Sequence, residues 1–209
     1  MIAPVDVRGF VLAGGASRRF GRDKALVEFD GEPLIARLCR LLQGATASPV
    51  RIIGDAAKYS EFGIECIEDR WPGEGPLGGI ITALQASKVS ARRDPWNLII
   101  GCDMPFLTGE WLLRMAERTP AKGAEVVMPY STHGFEPLCA RWRASAALTL
   151  TRAFEGGVRR VTEAMKQLSV EVLDAVREKR FDNFDRLFWN MNTPADYEEA
   201  IRVLKTECP

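Results

Sequence analysis

The chain has 209 residues, 46% of them hydrophobic and 27% charged, with 28 lysines plus arginines against 28 aspartates plus glutamates. Such a length and composition predict a single domain spanning 1–209 with ample apolar surface for a core, and exclude long disorder. A formal net charge of zero leaves no global basic field for nucleic acid, no run reaches membrane-spanning length, and any anion site must therefore be local.

The first periodic segment, GFVLAGG at 9–15, reads as a strand, and PLIARLCRLLQG at 33–44 reads as a helix with proline in its first turn, which makes a β-loop-α unit. VRIIG (50–54) and IECIE (64–68) follow as strands and PLGGIITALQASK (76–88) as a helix. SARRDP (90–95) is a polar connector, and WNLIIGCD (96–103) is a strand apolar enough to be buried on both faces. TGEWLLRMAERT (108–119) is a helix capped by Thr108. Then come strands at 124–130 and 137–142, a helix at 143–157 stopped by its glycine pair, a helix at 158–168, a strand at 169–173 and a C-terminal helix at 194–207. Sequential βα units of this kind predict an α/β fold, a mainly parallel sheet with helices on both faces. Ligands in such sheets sit at the carboxyl ends of the strands, so loops 14–24 and 103–107 are expected to face one crevice.

The stretch LAGGASRRFGRDK at 12–24 loses its side chains at Gly14 and Gly15 and then concentrates charge at Arg18, Arg19, Arg22 and Lys24. Bare glycines let amide groups approach a ligand, and arginine and lysine add charge-assisted bonds, so the loop suits the phosphates of a nucleotide. The spacing is not that of a Walker loop, because Gly21-Arg22-Asp23-Lys24-Ala25 lacks lysine directly after glycine and Ser/Thr directly after lysine. GEGPLG at 73–78 matches a dinucleotide fingerprint letter for letter, but four residues separate it from the preceding strand and Pro76 lies inside it. A glycine-rich loop closing over a ligand fits it better.

Asp103 ends an apolar strand, where a carboxylate can either hold a metal or cap the loop Met104-Pro105-Phe106. The single histidine, His133, sits in a loop-like STHGFEP segment and is expected to have no catalytic role. Trp71, Trp111 and Trp142 could stack on a planar ligand, but tryptophans are more often core or interface residues, and they are left outside the site. The five cysteines, at 39, 66, 102, 139 and 208, stand singly and read as reduced, buried thiols rather than zinc ligands or a redox pair. With an N-terminal MIAPVDVRGFVLAGG that lacks a signal pattern, they lead to the expectation of a soluble, cytoplasmic protein that binds neither nucleic acid nor membrane.

LAGG-x-S-x-R-hydrophobic-G-x-DK from Leu12, G-x-P-L at 31–34, PGEGPLGG at 72–79, CDMPF at 102–106 and NMNTPAD at 190–196 together resemble the MobA family of molybdenum cofactor guanylyltransferases. The resemblance implies a Rossmann-like three-layer sandwich, similar to the nucleotide-diphospho-sugar transferases, that uses GTP and magnesium to attach GMP to the terminal phosphate of molybdopterin. It implies that Leu12, Ala13 and Gly14 contact the guanine, that Gly15, Gly54, Asp69 and Gly78 also bind GTP, that Arg19 and Lys24 neutralise phosphate charge, and that Asp103 is the magnesium ligand. Asn190 and Asn192 fall near the pterin pocket of the family, although Asn192 also suits a helix cap. Transient contacts with other molybdenum cofactor proteins are implied as well. Phe20 replaces the family's usual methionine, a packing change. Related cytidylyltransferases carry LAAG, so Gly14 favours guanine, whose larger ring uses the space of the missing Cβ. A phosphate monoester has a second pKa of about 6 and is already ionised at neutral pH, so the transfer needs no general base. Other nucleotidyltransferases, acting on sugar or cobinamide phosphates or using CTP, and a nonenzymatic GTP-binding module, stand as the alternatives.

Overall fold

The computed structural model describes residues 7–14, 20–21, 23–89, 94–174, 181 and 184–207. Among them the elements run β1 (Val7–Leu12), β2 (Glu28–Phe29), β3 (Glu32–Pro33), α1 (Leu34–Ala45), β4 (Arg51–Ile53), α2 (Ala56–Tyr59), β5 (Cys66–Ile67), α3 (Pro76–Val89) and β6 (Trp96–Gly101). There follow α4 (Gly109–Glu117), β7 (Val126–Ser131), β8 (Gly134–Phe135), β9 (Cys139–Arg143), α5 (Ala146–Glu155), α6 (Val161–Ala164), β10 (Val170–Asp174), α7 (Phe184–Leu187) and α8 (Pro194–Glu207). The main sheet has the order β10-β7-β9-β6-β1-β4-β5, with β8 paired to β7. β9 is antiparallel to both its neighbours, and the other six strands of the path run the same way. Their carboxyl ends therefore form one edge.

Alternation along the strands feeds two core layers. In β1, Val7 and Val11 pack on one face with α1 and α4, while Phe10 and Leu12 pack on the other with α3 and α5. Every residue of β6 is buried, as its unbroken apolar run requires. α1 starts directly after Pro33 and presents Leu34, Ile35, Leu38, Cys39 and Leu42 to the sheet. Truncating one of them, such as Leu38→Ala, removes a fully buried side chain and costs about 2–5 kcal/mol. Thr108 caps α4 by accepting from Trp111 N at 3.2 Å. At the other end of that helix the buried Arg141 donates through Nη1 to the carbonyls of Met115, Ala116 and Arg118, which would otherwise be orphaned.

The predicted α/β layers hold, and the differences lie at element ends and in short pieces. The strand predicted at 9–15 stops at Leu12, and the helix predicted at 143–157 starts only at Ala146 because Arg143 still belongs to β9. Ser145 is held there by Asp94, whose carboxylate accepts from its N at 2.7 Å and its Oγ at 2.8 Å. Instead of one helix at 158–168 there is a single α-turn, α6, followed by a 3-10 turn at Met165–Gln167. The 2-3 hairpin, β8, α2 and α7 have too few residues to show a period. Cys39, Cys102 and Cys139 are buried and free as expected, Cys66 is half-buried, and Cys208 lies outside the described residues. Trp111 and Trp142 are core residues, whereas Trp71 is half-buried. No described helix is long and apolar enough to cross a membrane.

Candidate functional site

Register sets the site. Leu12 lies beside Ile53 on β4 and Gly101 on β6, and the chain carries the ladder one step further: Ala13 N donates to Ile53 O at 2.8 Å, Cys102 N to Leu12 O at 3.0 Å and Gly54 N to Ile67 O at 3.0 Å. The loops after β1, β4, β5 and β6 thus leave the sheet in a row. They enclose two adjoining clefts that share Gly14 and Asp69. The narrower is lined by Leu12, Lys24, Pro76, Gly79, Gly101, Asp103 and Leu138. The wider, about 470 Å³, is lined by Ala13, Gly54, Asp55, Lys58, Glu68, Pro72 and Gly73, and has the size of a ligand pocket.

Lys24 and Asp103 meet in the narrow cleft. Asp23 starts a 3-10 turn at Lys24–Leu26 by accepting from Ala25 N at 3.1 Å, which aims Lys24 inward. Its Nζ donates to Asp103 Oδ2 at 2.9 Å and to Asn192 Oδ1 at 3.4 Å. Burial pulls the lysine pKa down most strongly, but the charge and hydrogen bond of Asp103, with further effects of Cys102 and Asp23, together outweigh it and the net shift is upward, so the amine stays charged. Met191 N donates to Asp103 O at 2.8 Å and brings the 190–192 segment against this loop.

Asp103 Oδ1 is buried and has no hydrogen-bond partner among the described residues. It fits there because Gly101 has no side chain: a Cβ on that residue would stand 2.6 Å from Oδ1. Leaving a buried carboxylate oxygen unpaired is costly, and a hard cation is one kind of partner that such an oxygen takes. The described residues contain no group of three or more histidine, cysteine or acidic side chains able to hold a metal. A single carboxylate oxygen beside an open cleft fits magnesium, which keeps several waters and takes substrate phosphate oxygens for the rest of its shell.

Asp69 is fixed by one oxygen only. Oδ1 accepts from Trp71 N at 3.1 Å and Thr82 Oγ1 at 3.2 Å, and Oδ2 faces Gly14 and Gly79, where added Cβ atoms would come within 3.6 and 3.9 Å of it. Gly78, taken from the sequence as a GTP contact, packs against Trp71, whose Cβ would lie 3.1 Å from a Gly78 Cβ. On the helical turn that opens α3, the neighbouring Gly79 is the glycine that lines the cleft.

Tyr59 was not anticipated. Tyr59 is buried to 1% exposure, and its hydroxyl lies 3.0 Å from Ala13 O and 3.1 Å from Asp23 Oδ2, so one proton serves acceptors on Ala13 and on Asp23. Burial, and then the Asp23 charge, push this phenol above its ordinary pKa. Gly54 makes room for the arrangement: a Cβ there would stand 3.0 Å from Ala13 O and 3.1 Å from the Tyr59 ring.

Of the remaining expected residues, Gly15 and Arg19 lie outside the described residues. Phe20 is buried edge-on to Tyr197, with ring centroids 6.2 Å apart, a packing role. The start of α8 is capped by Thr193 and Asp196: Asp196 N donates to Thr193 Oγ1 at 3.2 Å, and Asp196 Oδ2 accepts from the N of Asn192 and Thr193, each at 2.8 Å. Those bonds hold the Asp196 carboxyl below its ordinary pKa against the opposing effect of burial. The Asn192 side chain is thereby released from capping and turns to Lys24. Asn190 donates to Phe188 O at 3.2 Å and lines neither cleft. His133 sits in the turn between β7 and β8, away from both clefts.

The MobA-like NTP transferase domain family matches residues 9–170. A probable molybdenum cofactor guanylyltransferase of Opitutus terrae is 35% identical over 93% of this chain and 94% of its own length, and one of Chloroflexus aggregans is 33% identical over 95% of each chain. Among solved structures, the molybdopterin-guanine dinucleotide biosynthesis protein A of Archaeoglobus fulgidus superposes with a TM-score of 0.77 at 26% identity, covering 95% of this chain and 99% of that one. The mostly parallel sheet between two helical layers is that of the nucleotide-diphospho-sugar transferase fold.

Proposed function

Because the chain belongs to the MobA-like NTP transferase family, we propose that it is a guanylyltransferase moving GMP from GTP to the terminal phosphate of molybdopterin. An oxygen of the acceptor phosphate forms a bond to the α-phosphorus of GTP, the bond from that phosphorus to the bridging oxygen breaks, and pyrophosphate leaves. The acceptor is already ionised at neutral pH, so no proton has to be removed, in keeping with a cleft that contains no histidine. What the protein must supply is alignment and positive charge.

The observation that carries this reading is the Lys24–Asp103 pair lining a glycine-rich cleft, with Oδ1 unpartnered among the described residues. In this arrangement Lys24 exchanges Asp103 for phosphate oxygens when the triphosphate enters. Asp103 would hold magnesium through Oδ1. When bound, magnesium supplies charge neutralisation at the α-phosphate and the leaving group. Backbone at Ala13, Gly14 and Gly54 lies open to the base in the wider cleft. Asp69 Oδ2 offers an acceptor for guanine N–H groups. A methyl at Gly14 would stand 3.6 Å from that oxygen, an ordinary contact that narrows the approach to it without a clash. Free thiols at Cys39, Cys102 and Cys139 suit a reducing cytoplasmic setting.

Pyrophosphate release tests the proposal directly. With magnesium and molybdopterin, GTP should be turned over and CTP should not compete; CTP outcompeting GTP would reassign the base. Turnover with a sugar or cobinamide phosphate, but not with molybdopterin, would reassign the acceptor. GTP binding without release in any mixture would make the protein a binding module.

A further inference from the structure

The floor of the nucleotide cleft continues along the strand-end edge beyond the cleft itself. β1 and β6 place Leu12 beside Gly101, and Gly101 N donates to Leu138 O at 2.7 Å. On the next strand Val127 pairs with Arg141. Past that pair β10 keeps the other edge of β7 as far as the pairing of Tyr130 with Asp174, so β8 takes over from β9 on the same edge, and residues 136–138 cross from β8 to β9. Tyr130 then pairs with Phe135 of β8. Residues two apart in a strand share a face, and Met128, Ala140 and Ile99 belong to the same core layer as Leu12. Tyr130 and Phe135 thus extend the row of Leu12, Gly101 and Leu138 on the side of the sheet where the cleft lies.

The row changes character as it crosses the sheet. Leu12, Gly101 and Leu138 line the cleft with Asp103, whereas Tyr130 and Phe135 are 46% and 40% exposed. Their rings meet edge to face, with centroids 5.0 Å apart and planes at 83°, so that together they offer a floor and a wall. The hairpin that carries them is braced: Ser131 Oγ donates to Glu136 Oε1 at 2.6 Å, His133 N to Ser131 Oγ at 3.0 Å and Thr132 N to Asp185 Oδ1 at 2.8 Å. Phe135 stands three residues before Leu138, the neighbour of Gly101, so the chain leads directly from the ring pair to the lining of the cleft. A planar group on these rings has the reacting end of the cleft beside it.

We propose that Tyr130 and Phe135 are the docking platform for the planar pterin of the acceptor, which they hold with its phosphate directed toward Lys24 and Asp103. This rests on the reading above that the acceptor is a pterin phosphate. Aromatic faces suit a flat heteroaromatic ring system by stacking, and the platform is continuous with the cleft that holds the other substrate. The nucleotide occupies the β1-β4-β5 side of the edge and the acceptor the side where β9 and β8 flank β7.

Initial rates of pyrophosphate release against molybdopterin concentration, at saturating GTP and magnesium, test this in the full chain for Tyr130→Ala, Phe135→Ala and Tyr130→Phe. Each alanine is expected to raise the acceptor KM about tenfold, the loss of one stacking partner, with the GTP KM unchanged and Tyr130→Phe close to wild type. An unchanged acceptor KM in both alanine variants overturns the platform, as does an equal rise in the KM of GTP. A wild-type dimer that Tyr130→Ala dissociates in sedimentation, with the acceptor KM unmoved, would assign the pair to a second copy of the chain instead. If the wild type transfers nothing to molybdopterin, the proposed function fails and the platform with it; if the wild type is active and the alanine variants match it, the platform alone fails.

Discussion

The two halves of the strand-end edge are built on opposite plans. Around β1, β4 and β5, pairing is parallel and the lining is glycine and backbone, with Gly14, Gly54, Gly79 and Gly101 opening space for Asp69, Asp103 and Lys24. Around β9, β7 and β8, pairing is antiparallel and the lining is bulky and aromatic. The first half suits a ligand whose phosphates must be approached by amides and fixed charges. The second suits a ligand held by its ring face. A transferase needs both on one edge, and the reversal of β9 is what joins them.

The largest effect expected on the nucleotide half is from Lys24→Ala. Steady-state assays should show turnover lower by on the order of 10²–10³, as for the loss of one preorganised donor, and near-normal turnover would remove Lys24 from the site. Next is Gly101→Ala, which puts a methyl 2.6 Å from Asp103 Oδ1 and must displace that carboxylate. Turnover should fall on the order of 10²-fold and the magnesium concentration needed for half-maximal rate should rise; an unchanged magnesium dependence would mean that Oδ1 has no part in the site.

A smaller change tests the loop. Tyr59→Phe frees Ala13 O and Asp23 Oδ2 from their common donor, and calorimetric titration should find GTP binding weaker by about tenfold, the scale of one hydrogen bond, with the KM of the acceptor unmoved. Equal losses for both substrates would make Tyr59 a general packing residue.

The smallest effect concerns the acceptor half and is read in stability. Burial raises the pKa of Glu136 above the ordinary carboxylate range, against the opposing bond from Ser131, with further effects of His133, Asp185 and Asp103. The folded protein therefore holds that proton longer than the unfolded chain does. The resulting stabilisation is full below the unfolded pKa of about 4.3 and is lost as pH rises through the folded value. Urea titrations should show the wild type losing stability over that window relative to Glu136→Gln; parallel curves would contradict it.

The glycine-lined half was largely legible in the sequence because the residues that shape it are local. Bare glycines, a charged loop and a strand-ending aspartate lie close together along the chain at 12–24 and 101–103, and their placement follows from the order of βα units. Tyr59 and Thr82 left no such mark: each acts through one hydroxyl on a residue distant in sequence, and a lone tyrosine or threonine has no period to stand out from. Gly78 and Gly79 were separable only once the turn of α3 fixed which one faces Trp71. The aromatic half was hidden for a further reason. Its placement beside the cleft depends on β9 running antiparallel, and an apolar run such as PLCARW is the same sequence whichever way its strand is inserted.

The central claim is that the triphosphate of GTP lies between Lys24 and Asp103 with its base in the glycine-lined cleft. A crystal structure of the protein with GTP and magnesium tests it most directly. Phosphate oxygens within bonding distance of Lys24 Nζ, the metal on Asp103 Oδ1 and the guanine beside Gly14 and Asp69 are the result predicted. A nucleotide bound elsewhere, with the Lys24–Asp103 pair still closed at 2.9 Å, would contradict it.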